Sequence, residues 1–466
     1  MPDLAPSPTD TRTPQPQAQL AAVVVITLGI ALSVLDSTLL MLALPDIARD
    51  FRVDAHATIW VVNAYQLAAL CLLLPCAQIG DRIGYRRVYL AGVAVYTVGS
   101  VASWAAPSLP WLVGARAFQG LGSAGMMAVN AALIRLSFPA SRLGAAMALN
   151  SVVIAVASVA GPGIAAAVLA FAPWHWLFAI QAPLGLVVLL LGWKSLPANT
   201  HPPAKGNLSM LDVLLNVLMF ALLFLATYEL GTRSGDGMAG KGVGAALLAA
   251  GAVVATVFVR RQRRLALPLL PVDLLRIRVF RLSMCTSVAA FAGQTSAFVA
   301  LPFLLLESQG RSHLAAGALL TAWPAATIVF APLSARLMTR HPAGVVSGIG
   351  LVTLATGLAL LALLDPQAAP TQVAWRLAVC GAGFGLFQSP NNHTIVTSAP
   401  IDRSGAAGGM LGTARMTGMS LGAILTGLVF SAVGVKAGPG PAIALAAASV
   451  LSAMAAVFSL LRTRPS

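Results

Sequence analysis

An all-α polytopic membrane protein is the fold class this sequence predicts, on three observations. Of its 466 residues 58% are hydrophobic and only 9% charged, against about 25% charged in soluble domains. The apolar residues fall in repeated long runs, and a bilayer-spanning helix needs roughly 20 of them. These runs are rich in Ala and Leu and lack the alternation of a barrel strand. Lipid leaves no backbone group unpaired, so such runs must be helices.

The runs, bounded by charge, Pro or Gly, fall near 20–44, 57–78, 88–106, 110–134, 143–170 and 174–192. Two follow near 208–230 and 240–259. Six more lie near 279–306, 314–338, 343–364, 372–398, 405–433 and 440–461. Fourteen spans put both termini on one side of the membrane. With the N-terminus cytoplasmic, the inward loops and tails carry Arg82, Arg86, Arg87, Arg135, Arg142, Lys194, Lys205 and Arg336. Arg340, Arg403, Arg462, Arg464, Arg12 and the seven arginines between Arg260 and Arg281 lie there too. The outward loops hold only Arg49, Arg52, Arg233, Lys241, Arg311 and Lys436. Basic residues favour the cytoplasmic side, so the expectation is a multi-pass protein of the cell inner membrane with cytoplasmic termini.

Residues 1–19, rich in Pro, Thr and Gln, are expected to form a disordered cytoplasmic tail. Arg116, Gly120, Gly122, Pro139, Arg142 and Gly144 are echoed later by Arg376, Gly381, Gly383, Pro400, Arg403 and Gly405. The echo predicts a duplication, with a six-helix bundle at 20–192, two inserted helices at 208–259 and a second bundle at 279–462. Between them, 260–278 mixes arginines with leucines around Pro268 and Pro271. It reads as a basic linker on the inner leaflet, facing anionic lipid headgroups.

Charge and motif content exclude other classes. The net charge of +15 sits in short loops and sets topology, so no nucleic-acid partner is expected. Cys71, Cys76, Cys285 and Cys380 show neither a CxxC pair nor a metal spacing. No phosphate-binding loop, zinc-binding HExxH or nucleophile elbow is present in suitable context. The chain is therefore expected to be no enzyme and to need no cofactor or metal. An ion gradient, rather than ATP, is the expected driver.

Asp36 lies about sixteen residues into the first run, near mid-membrane at 1.5 Å per residue. An ionised carboxylate there costs roughly 2.5–3.5 kcal/mol, so it must face a cavity or a partner. Burial and a neighbouring cation push a carboxyl's proton affinity in opposite directions, which suits ion coupling. A structural Asp bonded to a neighbouring helix is the alternative. Arg116 and Arg415 are the buried cations, and a guanidinium in lipid must be paired or hydrated. Arg415 can line a cavity or bond to broken-helix carbonyls. Asn63, Tyr65, Gln119, Gln294, Gln388, Asn391 and Asn392 lie at depths where lipid exposure is costly; they are candidates for a substrate cavity or for helix-to-helix hydrogen bonds. In Gly161-Pro162-Gly163 the proline kinks the helix and the glycines admit close contact. Glu229 and Glu307 sit near predicted outer ends and are expected to be solvated.

The loop after the second run contains Asp81-Arg82-Ile-Gly84-Tyr-Arg86-Arg87. It closely resembles the loop signature of the major facilitator superfamily. The resemblance implies that Asp81, Arg82, Arg86 and Arg87 latch two bundles on the cytoplasmic side, with Gly84 making the turn. Leu35-Asp36-Ser37-Thr38, Trp60-Val-Val-Asn63-Ala-Tyr65 and Trp174-His175-Trp176 look like segments of the 14-helix drug:proton antiporter branch, whose usual arginine between the tryptophans is His175 here. Arg116 through Gly122 resembles the superfamily's fourth-helix motif, and Gly161-Pro162-Gly163 its antiporter motif, with Ala165-Ala166 replacing a glycine pair. Phe387 through Asn392 and Gly408 through Arg415 also fit the branch. The resemblance implies a major facilitator fold, with proton coupling at Asp36 and Arg116. It implies proton-coupled export of small amphipathic or antimicrobial compounds, by a protein expected to act as a monomer. A carrier for a single metabolite is the alternative.

Overall fold

The structure, a computed structural model, describes residues 16–137, 140–197, 209–232, 237–265, 268–365, 367–399, 404–434 and 439–463. Most of the 1–19 tail lies outside them. Fifteen α-helices follow one another: α1 Pro16–Asp50, α2 Ala55–Ile83, α3 Tyr85–Trp104, α4 Leu109–Ser137, α5 Ala140–Phe171, α6 Trp176–Ala179, α7 Gln181–Ser195 and α8 Met210–Thr232. Then come α9 Gly237–Gln262, α10 Arg278–Pro302, α11 His313–Leu337, α12 Ala343–Ala362, α13 Pro370–Ser398, α14 Ser404–Val433 and α15 Gly440–Leu461. Together α6 and α7 form one apolar stretch, Trp176–Ser195, so the described helices make fourteen units, nine of them long and apolar enough among the described residues to cross a membrane. The break at Ile180 precedes Pro183, which has no N–H to give the carbonyl of Ala179, the last residue of α6.

Helices α1–α7 pack as one bundle and α10–α15 as another. The prediction of two six-helix bundles with a central pair of extra helices therefore holds. Most helices run past the apolar segment that predicts them, as α1 does to Asp50, because intrahelical bonding continues into the polar margin. A single residue, Gly84, separates α2 from α3. Its φ of 106° lies where a Cβ is strained, so this corner requires glycine.

The same glycine contacts recur in the two halves. On α4, Gly120 lies against the Tyr65 carbonyl of α2, and Gly122 faces Tyr96 and Gly92 of α3. On α13, Gly381 lies against the Trp323 carbonyl of α11, and Gly383 faces Leu354 and Gly350 of α12. A Cβ at Gly122 would stand 2.6 Å from the Gly92 oxygen, and one at Gly383 2.6 Å from the Gly350 oxygen. Each half thus threads its fourth helix between its second and third by the same backbone contact, as small residues allow in lipid.

The halves meet along α2 with α14 and along α5 with α11. The inserted helix α8 covers the first seam: Asn216 donates to the Cys71 carbonyl of α2 at 2.7 Å, and Phe224 meets the Trp60 ring. At the end of the α8–α9 hairpin, buried Asp212 accepts from Arg261 at 2.6 Å and from Gln262 at 3.1 Å. Gln262 in turn accepts from the Leu269 amide at 2.6 Å, fastening the linker. Asp212→Ala should leave these donors unsatisfied and lower stability by about 1–3 kcal/mol, read as earlier thermal unfolding in detergent. In the linker, Val272–Arg276 forms a 3-10 turn whose Leu274 packs with Phe280, Ile395 and Met410.

Candidate functional site

Asp36 faces α4 inside the first bundle and is 0% exposed; Arg116 is 1% exposed. One guanidinium nitrogen of Arg116 donates to Asp36 Oδ1 at 2.7 Å and to Gln119 Oε1 at 2.5 Å. Its Nε donates to the Val61 carbonyl at 3.2 Å. The Tyr65 ring lies 4.4 Å and the Phe178 ring 5.6 Å from the guanidinium carbon, a cation–π setting. Gln119 donates to Ser100 at 2.9 Å and Gln181 at 3.1 Å. Tyr96 donates to Gln181 at 2.6 Å and Tyr65 to Ser123 at 2.7 Å. Asp36 Oδ2, however, is buried with no hydrogen-bond partner.

This arrangement is chemically lopsided. Arg116 keeps a carbonyl, an amide oxygen and two aromatic faces whether or not Asp36 is ionised. Asp36 has one bonded oxygen and one bare oxygen. A neutral Asp36 would leave one uncompensated positive charge inside the bundle, a second electrostatic state of the pair. Among the described residues the second bundle has no such pair. By the matching glycine seats, Gln119 corresponds to Cys380 and Arg116 to Leu377. No acidic residue occurs on α10. The echo of Arg116 in Arg376 is one residue out of register, and Arg376 lies over the exposed Trp375 ring instead.

Gly161-Pro162-Gly163 links this pair to the other half. Gly161 seats against Thr38 of α1, two residues from Asp36, while the Pro162 carbonyl faces Gly317 of α11. Gly163 faces open space.

The two ends of the helices differ. At the Asp46 end the halves are stitched together: Asp46 bonds His313 of α11 at 2.7 Å, and Arg49 meets both Asp46 and, at 3.3 Å, Glu307. Glu307 is thus held in an interbundle ion pair, which corrects its reading as a solvated residue. Asp50 accepts from Trp174 at 2.9 Å, and His175 stacks on that indole. Burial draws the His175 pKa below its usual value, against the opposing charge of Asp50. Asp46, Arg49, Asp50, Trp174, His175 and His313 line a cavity of about 580 Å³. At the Asp81 end, Asp81 accepts from Tyr85 at 2.7 Å, Arg86 donates to the Trp193 carbonyl, and Arg87 donates to Ile83 at 3.5 Å. All these partners belong to the first bundle. Among the described residues no ion pair joins the halves at this end, and Arg142 and Arg403 lie outside the described side chains.

Of the other sequence candidates, Asn63 is buried with an unpartnered oxygen. Asn391 is buried between helices, donating to Ser287 at 2.7 Å and accepting from Arg462 at 2.6 Å. Gln294, Gln388, Asn392 and Arg415 are partly exposed. Among the described residues Arg415 bonds no carbonyl; its guanidinium lies 5.2 Å from the Phe291 ring. Sequence reasoning missed the partners Gln181 and Tyr96 and the Asp46–His313 stitch. Their only signal was a polar type within or beside an apolar run.

A family profile described as Major Facilitator Superfamily matches residues 26–413 and again 282–466. The chain belongs to that superfamily. The second match starts inside α10. Among curated relatives, an uncharacterized transporter, YebQ, of Escherichia coli (strain K12) is 46% identical over 439 residues, 94% of each chain. The multidrug efflux pump LfrA of Mycolicibacterium smegmatis is 31% identical, over 92% of this chain and 85% of its own. The riboflavin transporter RibZ of Clostridioides difficile (strain 630) is 27% identical, over 85% and 84%. As a major facilitator protein the chain is a membrane transporter of small molecules and not an enzyme.

Proposed function

We propose that this transporter exports small amphipathic or antimicrobial compounds in exchange for protons. The observation that carries the reading is the buried Asp36–Arg116 pair with its one bare carboxylate oxygen. The similarity to LfrA, an efflux pump by name, supports the export direction. Positive-inside charge puts the Asp46 end outside. The stitched outer end and the unlatched Asp81 end then suit a state closed outward. In the proposed cycle Asp36 takes a proton from the outside, substrate leaves, and deprotonation toward the cytoplasm restores the pair. Asp81, Arg82, Arg86 and Arg87 latch the inner side in the opposite state, and Gly161-Pro162-Gly163 carries movement at α1 to α11. The linker arginines rest on anionic headgroups.

Everted vesicles carrying a pH-sensitive dye test the reading. Adding substrate to energised vesicles should release protons, and collapsing the gradient should stop export. Transport that persists without a proton or sodium gradient would overturn it. The similarity to RibZ favours a second reading, a carrier for one metabolite. Broad protection in a drug-susceptibility panel supports the first reading, and protection against no compound the second.

The stitched end gives a separate prediction. Asp46→Asn weakens the contacts to both His313 and Arg49, and should shift the population toward outward opening. Spin labels at Asp54 and Gln367, exposed on opposite halves, should move apart in double electron–electron resonance. An unchanged distance distribution would show that these contacts do not hold the end closed.

A further inference from the structure

We infer that the space between the halves carries an anion-recognition site centred on Arg415, suited to organic acids that bear a carboxylate. The inference rests on the transport reading only in taking that space as the route.

The charge inventory leads there. Asp36 is neutralised by Arg116, Glu307 by Arg49 and Asp212 by Arg261. Glu229 stands near the far end of the inserted helix α8. Arg376 sits near the start of α13 beside an exposed tryptophan. Arg415, twelfth residue of α14, is left as the mid-span charge without a counter-ion among the described residues. Its Nε is buried and has no acceptor. An unpaired guanidinium at that depth is costly, and a ligand that supplies the missing anion is favoured in proportion.

Helix geometry aims it between the halves. Gly409 and Gly412 face Leu74 and Leu73 of α2, while Gly418 and Gly422 lie against Val288 and Ala292 of α10. At 100° per residue Arg415 projects between these two edges. Gly408, two turns back on the same face, has nothing within 4 Å of a built Cβ, so this face borders open space. Phe291 offers a ring 5.2 Å from the guanidinium carbon. Gln294, one turn along α10, is partly exposed. A planar guanidinium binds a carboxylate through two parallel N–H···O bonds, and the Phe291 ring, buried against Phe384 and Phe387, backs the guanidinium and holds it in place. A cationic compound would meet Arg415 with no carboxylate to offset it.

Fluorescence anisotropy on the full-length protein in lipid nanodiscs tests this, with fluorescein, an anionic xanthene carboxylate, against rhodamine 6G, a cationic xanthene ester. Signal from empty nanodiscs is subtracted. Fluorescein should bind saturably and at least about tenfold more tightly than rhodamine 6G. Arg415→Gln should weaken fluorescein by about tenfold or more, Arg415→Lys by less, and Phe291→Leu should fall between wild type and Arg415→Gln. Equal or tighter binding of rhodamine 6G, absent fluorescein binding, or wild-type binding by Arg415→Gln would overturn the site. Should Arg415→Gln fail to fold, Arg415→Lys and Phe291→Leu carry the same comparison. Proton release in everted vesicles separates the two readings. Fluorescein binding without proton release sinks proton exchange and leaves the site standing. Proton release driven only by the cationic dye sinks the site and leaves proton exchange standing.

Discussion

Asp36→Asn is expected to abolish gradient-driven transport while leaving the protein in the membrane. Asparagine keeps the shape and can still accept from Arg116, but it cannot ionise, so the pair loses its second state. Accumulation driven by a proton gradient in proteoliposomes should fall by well over about tenfold, while exchange without net proton flux is less affected. The substitution also leaves Arg116 buried with neutral partners only, and breaking such a pair costs about 3–5 kcal/mol. A double-mutant cycle separates the two effects. Arg116→Gln together with Asp36→Asn should recover stability relative to either single change, because no buried charge then lacks a partner, but should not recover coupling. Retention of gradient-driven accumulation by Asp36→Asn would remove the carboxyl group from the mechanism.

Gly122→Val is expected to have the largest effect on folding. A Cβ there meets Tyr96 and the Gly92 carbonyl, which are backbone atoms of a packed neighbouring helix. Rotamer changes cannot relieve that contact; α3 and α4 must separate. Overpacking costs about 1–3 kcal/mol where side chains yield, and this site should exceed that range. Gly383→Val should behave alike, because Gly350 and Leu354 form the same seat in the other half. Gly114→Ala and Gly163→Ala, whose added methyl meets nothing within 4 Å, are the matched controls. Size-exclusion profiles after detergent extraction give the readout: monodisperse peaks for the valine variants would mean the helices part without cost.

Much of this molecule is legible in one dimension because lipid enforces it. The apolar runs, their number and their helical state follow from the need to satisfy every backbone group without water. The glycines of the fourth helix and their echoes were visible, and so was the oddity of Asp36 in an apolar run. Gly84 was marked as the corner between two helices, and its positive φ accords with that.

What the chain order could not contain is who meets whom across it. Asp36 and Arg116 are 80 residues apart, and Asp46 and His313 are 267; neither pairing leaves a local trace. Nor does spacing alone show that Arg376 misses the register of Arg116 by one residue. On a helix one residue is a rotation of 100°, enough to turn a charge away from the face that its counterpart occupies. Composition and periodicity therefore decide that this protein spans the membrane and doubles. Only the packing of one helix face on another decides that one half holds the ion pair, and that Arg415 is left without a counter-charge.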